Sequence, residues 1–436
     1  MTPSDNPISR IVKNVSILGV SKLLRIGLGF VITAYVARNL GTDLFGTLSY
    51  AFAIVSLGHI LCSLGIESIA RRELNIHPKN EPELIGTAIY GQFLVGAAGT
   101  AFLGALAFLF QSGDEALTLF FAAFTLLATW NTTLSGYFQN VLQGKSVAIA
   151  QLSSFAISAS LKLYLILIDS PVWAFAAVES LESILIALCL AYLYHRGRSF
   201  HRLRWRFARF RKYVADSWPA ALSGFVIIVY MRIDQIMLKE LLGTDAVGIY
   251  SAALRFSEIW AFIPTFIATS ALSTLMAAKE DSPQRYRKVY GSFIETNLAL
   301  ALLIACGIFI IAPAVVSFFL GIQYSDTTPI VRIHVWSLIF IFVGVSRSQH
   351  FLAENLLRHS LAISILGALI NIVLNWFWIR SHGIAGAAWS TVVSQAIVAL
   401  VGPLLFARTR DFGLLVLRSL LFPNLRLRLK TVRPRL

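Results

Sequence analysis

Seven basic side chains, Lys22, Arg25, Lys162, Arg232, Arg255, Arg332 and Arg347, stand inside runs otherwise made of Leu, Ile, Val, Ala and Phe. A cation in hydrocarbon costs about 2.5–3.5 kcal/mol on insertion scales, so each must line a wet cavity, pair with an acid or reach an interface. Lys22 and Arg25 are three residues apart and share one helix face, where two like charges repel unless an anion answers them. A diphosphate would do so, and so would carboxylates on other helices. Arg232 and Asp234, two apart, point in nearly opposite directions and each needs its own partner. Arg232 is read as facing a cavity. Asp234 orients a neighbouring cation, binds a coupling ion such as sodium or a proton, or closes an inter-helical salt bridge. Arg255 and Glu258 are three apart and can satisfy one another, fixing helix packing, or Arg255 can serve the cavity. Arg347 lies deep, with His350 and Glu354 on its face, and is read as a cavity residue or a helix-pairing one. Arg332, near a helix end, can snorkel to an interface. Lys162 has no context that assigns it. Asn371 and Asn375 form a polar stripe suited to hydrogen bonding between helices or to sugar contact.

The elements that must position these groups follow from composition. Of 436 residues, 57% are hydrophobic and 14% charged, more apolar surface than a water-soluble fold can hide. The fold class is therefore all-α and polytopic, because roughly 20 apolar residues cross a bilayer core of about 30 Å and alternation suited to a barrel is missing. The spacing predicts about twelve spans, at 12–37, 44–68, 84–110, 115–141, 147–168, 172–194, 214–240, 246–277, 289–320, 328–353, 360–380 and 383–407. The first run, about 25 residues behind Arg10 and Lys13 and without a small-residue cleavage pattern, reads as a retained helix rather than a signal peptide.

The formal charge of +15 lies in the loops and decides orientation, not nucleic-acid binding. With the amino terminus inside, the inner segments hold Arg71, Arg72, Lys79, Lys145, the run from Arg196 to Lys212, Lys279, Arg285, Arg287, Lys288, Arg358 and the tail. The outer turns hold Arg38, Lys239 and Arg380. Cytoplasmic loops retain Lys and Arg, so both termini are expected in the cytoplasm of a cell with an inner (plasma) membrane.

Leu40-Gly41-Thr42-Asp43-Leu44-Phe45-Gly46 recurs as Leu242-Gly243-Thr244-Asp245-Ala246-Val247-Gly248, and Ser49 and Ala51 match Ser251 and Ala253 in register. Each copy falls between the first two spans of a six-span half, which predicts parallel repeats. The expected organisation is a six-helix lobe over 1–194, a basic cytoplasmic linker over 195–213, a second six-helix lobe over 214–407 and a basic amphipathic tail over 408–436. In that tail an apolar block, Leu414 to Phe422, precedes Arg426, Arg428, Lys430, Arg433 and Arg435, a pattern suited to the cytoplasmic membrane surface or to fixing topology.

Arg38-Asn39-Leu40-Gly41 with Gly46, and Arg232-Ile233-Asp234-Gln235-Ile236-Met237-Leu238 running into Leu242-Gly243, resemble the polysaccharide and O-antigen flippases of the multidrug/oligosaccharidyl-lipid/polysaccharide (MOP) exporter superfamily. Asn371 and Asn375, followed by His382-Gly383-Ile384-Ala385-Gly386-Ala387-Ala388, are similar to that family's eleventh and twelfth helices, and Leu142-Gln143-Gly144-Lys145 to the end of its fourth. Arg380-Ser381-His382-Gly383 departs from it, since many relatives carry a proline before the glycine. The resemblance implies two six-helix lobes arranged as a V around a cavity that opens alternately to each side. Its implied cargo is an oligosaccharide on a polyprenyl diphosphate such as undecaprenyl diphosphate, an O-antigen, capsular or exopolysaccharide repeat unit. Lys22, Arg25, Arg232, Arg255 and Arg347 would contact its diphosphate or acidic sugars.

Gly144-Lys145-Ser146 imitates the end of a phosphate-binding loop, but Gln139 stands where its first glycine is needed, so no nucleotide site is expected. The eight His and the isolated Cys62, Cys189 and Cys306 show no metal-ligand or disulfide spacing. Gly27, Gly29, Gly96, Gly99, Gly383 and Gly386 are expected to permit close helix approach or kinking. No cofactor is expected, and any gradient coupling would use sodium or protons. A glycosyltransferase, polymerase or ligase acting on the same glycan would need a sizeable outer loop with acid-base groups, and the outer turns are only a few residues long. A drug exporter of the superfamily would want acids and aromatics where this chain has basic residues. The partners expected are the lipid-linked glycan, membrane lipids and an outer-face polymerase or ligase of the same pathway; nucleic acid is not one, and the chain is taken as a monomer.

Overall fold

The computed structural model describes residues 7–198 and 200–421. Among them every regular element is a helix. In hydrocarbon each backbone N–H and C=O must be satisfied within its own segment, and long apolar helices do this. Ten helical stretches are long and apolar enough to cross a bilayer. Two of these, of 61 and 48 residues, are each two crossings. A 61-residue helix would run about 90 Å, three times the hydrocarbon core. Glycines divide them, at Gly41 (φ 77°, ψ 176°) and Gly383 (φ 61°, ψ −141°). That backbone region is essentially closed to residues with a Cβ. The twelve crossings expected from the apolar runs are thereby present, and the turn at Gly383 forms without a preceding proline.

The chain forms two compact units, one ending at Arg232 and the other beginning at Ile233. The first comprises α1 (Pro7–Ser63), α2 (Ile66–Ile76), α3 (Glu81–Phe110), α4 (Gly113–Ala123), α5 (Asn131–Asn140), α6 (Gly144–Leu167), α7 (Val172–Arg198) and most of α8 (Phe207–Leu242). Within it α7 packs on α4 and α6, α6 on α1, and α3 on α4. Gly96 and Gly99 let α3 approach the 3₁₀ turn after α4 and α1: a Cβ at Gly96 would overlap the Leu126 carbonyl, and one at Gly99 would sit 2.5 Å from the Cys62 sulfur. Gly27 has nothing within 4 Å of such a Cβ and Gly29 only Phe155 at 3.8 Å, so neither marks a close helix approach. The basic segment beyond α7 is docked on this unit. The Arg204 N–H donates to the Pro82 carbonyl at 3.0 Å, Arg209 pairs with Glu83 at 2.7 Å, and Leu203 and Tyr213 are buried.

The second unit holds the end of α8, then α9 (Thr244–Glu258), α10 (Phe262–Asp281), α11 (Pro283–Leu320), α12 (Thr327–His334), α13 (Ser337–Ala353), α14 (Leu357–Ala396) and α15 (Arg410–Ser419). Here α12 packs on α9 and α14, α13 on α11 and α14, and α15 on α11. The two arms of α14 meet so closely beyond Gly383 that a Cβ at Gly386 would overlap the Trp378 carbonyl. The expected tail residues Arg426 to Arg435 lie outside the described residues.

The internal repeat extends to the irregularities of the backbone. Gly41 and Gly243, equivalent in the repeated heptapeptide, adopt the same conformation, the latter with φ 91° and ψ −179°. Each turn after an odd-numbered crossing carries a residue of positive φ: Gly41, Gly113, Asp169, Gly243, Gly321 and Gly383. The fourth crossing of each six-crossing half is broken midway, by a 3₁₀ turn at Phe124–Ala128 and between His334 and Ser337. Both then end alike. The Gln143 N–H donates to the Phe138 carbonyl at 2.8 Å past a left-handed Leu142, and the Leu356 N–H to the Phe351 carbonyl at 2.7 Å past a left-handed Asn355.

Candidate functional site

Asp234, on the last turns of α8, is 3% exposed, and the hydroxyl of fully buried Tyr250 on α9 donates to its Oδ2. The Thr391 hydroxyl, on the second arm of α14, lies 3.5 Å from the same oxygen and 3.3 Å from the Tyr250 hydroxyl. The Gln235 N–H donates to Oδ1 at 2.8 Å. One turn along α14, the Ser394 hydroxyl donates to the Thr391 carbonyl and accepts from Asn371 Nδ2 at 3.2 Å. Asn371 Oδ1 in turn accepts from Asn375 Nδ2 at 3.0 Å. A connected polar line thus runs from Asp234 to Asn375, through a region where Asn371, Asn375 and Ser394 are wholly buried. At its far end Asn375 Oδ1 is a buried acceptor with no hydrogen-bond partner among the described residues. A carboxylate oxygen, hydroxyls and an amide oxygen are hard donors of the kind that hold small hard cations or pass protons. Tyr250 also meets the ring of buried His334 edge-on at 6.1 Å, and His334 Nδ1 is 2.7 Å from the Ser257 hydroxyl.

Arg347 is buried in α13 and donates from Nη1 to the Val398 carbonyl at 2.7 Å. Val398 belongs to a π-helical turn, Ile397–Val401, and such a turn breaks the regular i→i+4 ladder, so the guanidinium supplies a donor where the ladder is irregular. His350 and Glu354 follow on the face of Arg347 but go elsewhere, His350 to the Tyr286 hydroxyl at 2.9 Å and Glu354 to Lys279 at 2.8 Å. Arg255 is exposed on α9, Glu258 half-buried at its end, and Arg232 half-buried on α8. Arg332 donates to the Phe309 carbonyl at 3.2 Å and lies over that ring.

In the first unit Arg25 pairs with Glu182 of α7 at 2.7 Å, and Lys162 of α6 pairs with Glu179. The Glu182 side chain is 5% exposed and that of Arg25 38%, so the carboxylate is sealed in and the guanidinium is not. Lys22 is exposed and makes no hydrogen bond or ion pair among the described residues. The structure therefore brings Asp234, Asn371 and Asn375 together, and separates Lys22 from the acid that answers Arg25. Tyr250, Thr391, Glu179 and Glu182 escape the sequence reading. Two carboxylates three apart in the apolar run 172–194 are the signal that could have found the latter pair. Among the described residues no three of His, Cys, Asp and Glu cluster as metal ligands.

The profile of the family described as polysaccharide biosynthesis protein matches residues 11–277, more than half of the chain. The chain belongs to this family. A second profile, MatE, matches residues 219–377. Over 404 residues the chain is 21% identical to the capsular polysaccharide biosynthesis protein CapF of Staphylococcus aureus, covering 89% of this chain and 97% of that one. A multidrug resistance MATE transporter of the MOP superfamily, inward-facing, superposes with a TM-score of 0.74 at 15% identity, covering 94% and 99% of the two chains. The lipid II flippase MurJ in an inward closed conformation gives 0.73 at 14% identity, over 93% and 90%. At such identities these two structures establish the fold alone, which the chain shares with both.

Proposed function

We propose that this polysaccharide-family protein turns over a polyprenyl-diphosphate-linked oligosaccharide, an O-antigen, capsular or exopolysaccharide repeat unit, from the cytoplasmic to the outer leaflet by alternating access. The observation that carries this reading is the cationic face of α1. Arg25 is held by one carboxylate yet remains accessible, and exposed Lys22 stands one turn away on the same face. A diphosphate arriving there can share Arg25 with Glu182 and draw on Lys22, gaining charge-assisted hydrogen bonds in a low-dielectric setting. Half-buried Arg232 and exposed Arg255 are further candidate contacts, whereas the bond from Arg347 to Val398 suits it to holding α13 on the π-helical turn that follows α14. Membership of the polysaccharide biosynthesis family and a fold shared with a lipid II flippase agree with this cargo. We assign Asp234, with Tyr250 and Thr391, the role of taking up a sodium ion or proton, so that an ion gradient can bias the two access states. The protein works as a monomer in the inner membrane with both termini cytoplasmic, and its product is consumed by a polymerase or ligase on the outer face.

The MatE match and the MATE-like fold favour one competing cargo, an organic cation. Proteoliposomes decide between them. Wild type should accelerate translocation of a fluorescent polyprenyl-diphosphate oligosaccharide, Lys22→Ala and Arg25→Ala should each lower that rate about tenfold at matched protein levels, and Asp234→Asn should abolish its response to an imposed ion gradient. Transport of a lipophilic cation by a wild type that does not move the glycolipid would overturn the proposal.

A further inference from the structure

We propose that a second site, wholly within the second unit, holds the phosphate of an anionic membrane phospholipid between α11, α13 and α15. A cavity of about 560 Å³ opens there, within the range of about 300–1,000 Å³ usual for small-ligand sites. Tyr286 and His350 form one wall, with Phe412 stacked on the His350 ring at 4.7 Å. The lining carries three arginines, Arg287, Arg408 and Arg418, and two carboxylates, Glu354 and Asp411.

The charges are not evenly matched. Asp411 is taken by Arg287 at 3.0 Å, and Glu354 is taken from outside the lining by Lys279 at 2.8 Å. The side chains of Arg408 and Arg418 are left exposed with no ion pair or hydrogen bond among the described residues. Two unanswered guanidiniums on the rim of an aromatic-walled cavity form a phosphate-binding pair. The neighbouring surface points to a lipid as the source of that phosphate. Beside the arginines α15 presents Leu414 and Leu417, and past its end Leu421, at 54%, 38% and 65% exposure. A free phosphate would use only the charge, whereas a phospholipid places its headgroup on the arginines and its acyl chains along these leucines. The cargo of the flippase would pass through; this lipid would stay and fix α15 to the amino-terminal end of α11.

Native mass spectrometry of the full-length protein, titrated with phosphatidylglycerol or phosphatidylcholine, tests the assignment. Wild type should retain one more phosphatidylglycerol than the Arg408→Gln/Arg418→Gln variant, whose affinity for that lipid should fall roughly thirtyfold for two lost cationic contacts. A control, Arg285→Gln/Arg358→Gln, removes the same charge from exposed positions outside the cavity and should keep the lipid. Equal retention by wild type and the cavity variant, equal loss in the control, or phosphatidylcholine held as tightly as phosphatidylglycerol would overturn the proposal. Millimolar inorganic phosphate protecting wild type against heat as well as phosphatidylglycerol does would assign the cavity to a free anion instead, and so overturn the lipid.

Discussion

Arg25 and Glu182 divide their burial unequally, and the consequences of removing either differ for that reason. Taking away the guanidinium strands a carboxylate that is 5% exposed, with no water to solvate it. Neutralising the carboxylate leaves a guanidinium that is 38% exposed and can reorient towards solvent or headgroups. Arg25→Ala should therefore lower the stability of the purified protein by roughly 2–3 kcal/mol, below the full cost of breaking a sealed pair because Arg25 is partly open. Glu182→Gln should cost less than about 1 kcal/mol, and the double variant should recover most of what Arg25→Ala loses. Thermal unfolding of the four proteins in one detergent measures the cycle; equal losses from the two single variants would sink the unequal-burial argument. The same cycle separates structure from transport, since the double variant should be stable yet still slow in moving the glycolipid. The sequence reading allowed a carboxylate on another helix to answer Arg25 but could not say which, because Glu182 is 157 positions away and nothing local binds the two.

At the scale of elements, legibility depended on whether a residue type enforces the geometry. Apolar runs of about 20 residues enforce a crossing, and all twelve were readable. The repeated Gly41 and Gly243 were readable because that conformation excludes a Cβ. The mid-crossing breaks at Phe124–Ala128 and between His334 and Ser337 were not, since neither contains Gly or Pro and tertiary packing alone decides them. The polar line from Asp234 to Asn375 was half readable. Asn371 and Asn375 share a face at a spacing of four, but their link to Asp234 runs through Ser394 and Thr391, which the fold of α14 brings back past Gly383. The glycine argument has a measurable sign. Gly243→Ala should destabilise the protein by about 1–3 kcal/mol even though nothing lies within 4 Å of the new Cβ, because the strain is in the backbone. Gly307→Ala, equally open but inside regular α11, should stabilise by about 0.5 kcal/mol. Melting temperatures shifted in the same direction by both substitutions would refute the backbone account.

At the scale of the whole molecule, orientation rests on charge rather than on any single contact. Turns after odd-numbered crossings keep few basic residues, while segments after even-numbered ones concentrate them, and the proposed orientation accordingly puts the amino terminus, the basic segment before α8 and the tail on the cytoplasmic side. The proposed direction of transport depends on this assignment, because under that proposal the cationic face of α1 meets a cargo made inside. Cysteine accessibility tests it once Cys62, Cys189 and Cys306 are replaced by Ala. Asp43→Cys and Asp245→Cys, exposed and equivalent in the repeat, should both react with a membrane-impermeant maleimide in intact cells. Lys145→Cys and Arg358→Cys, exposed beyond the fourth and tenth crossings, should react only after the membrane is permeabilised. Reversal of all four would invert the protein and the proposed direction of flipping. Reaction of Asp43→Cys from outside with Asp245→Cys from inside would mean an odd number of crossings between two equivalent turns, and the parallel repeat that their shared backbone conformation supports would fail.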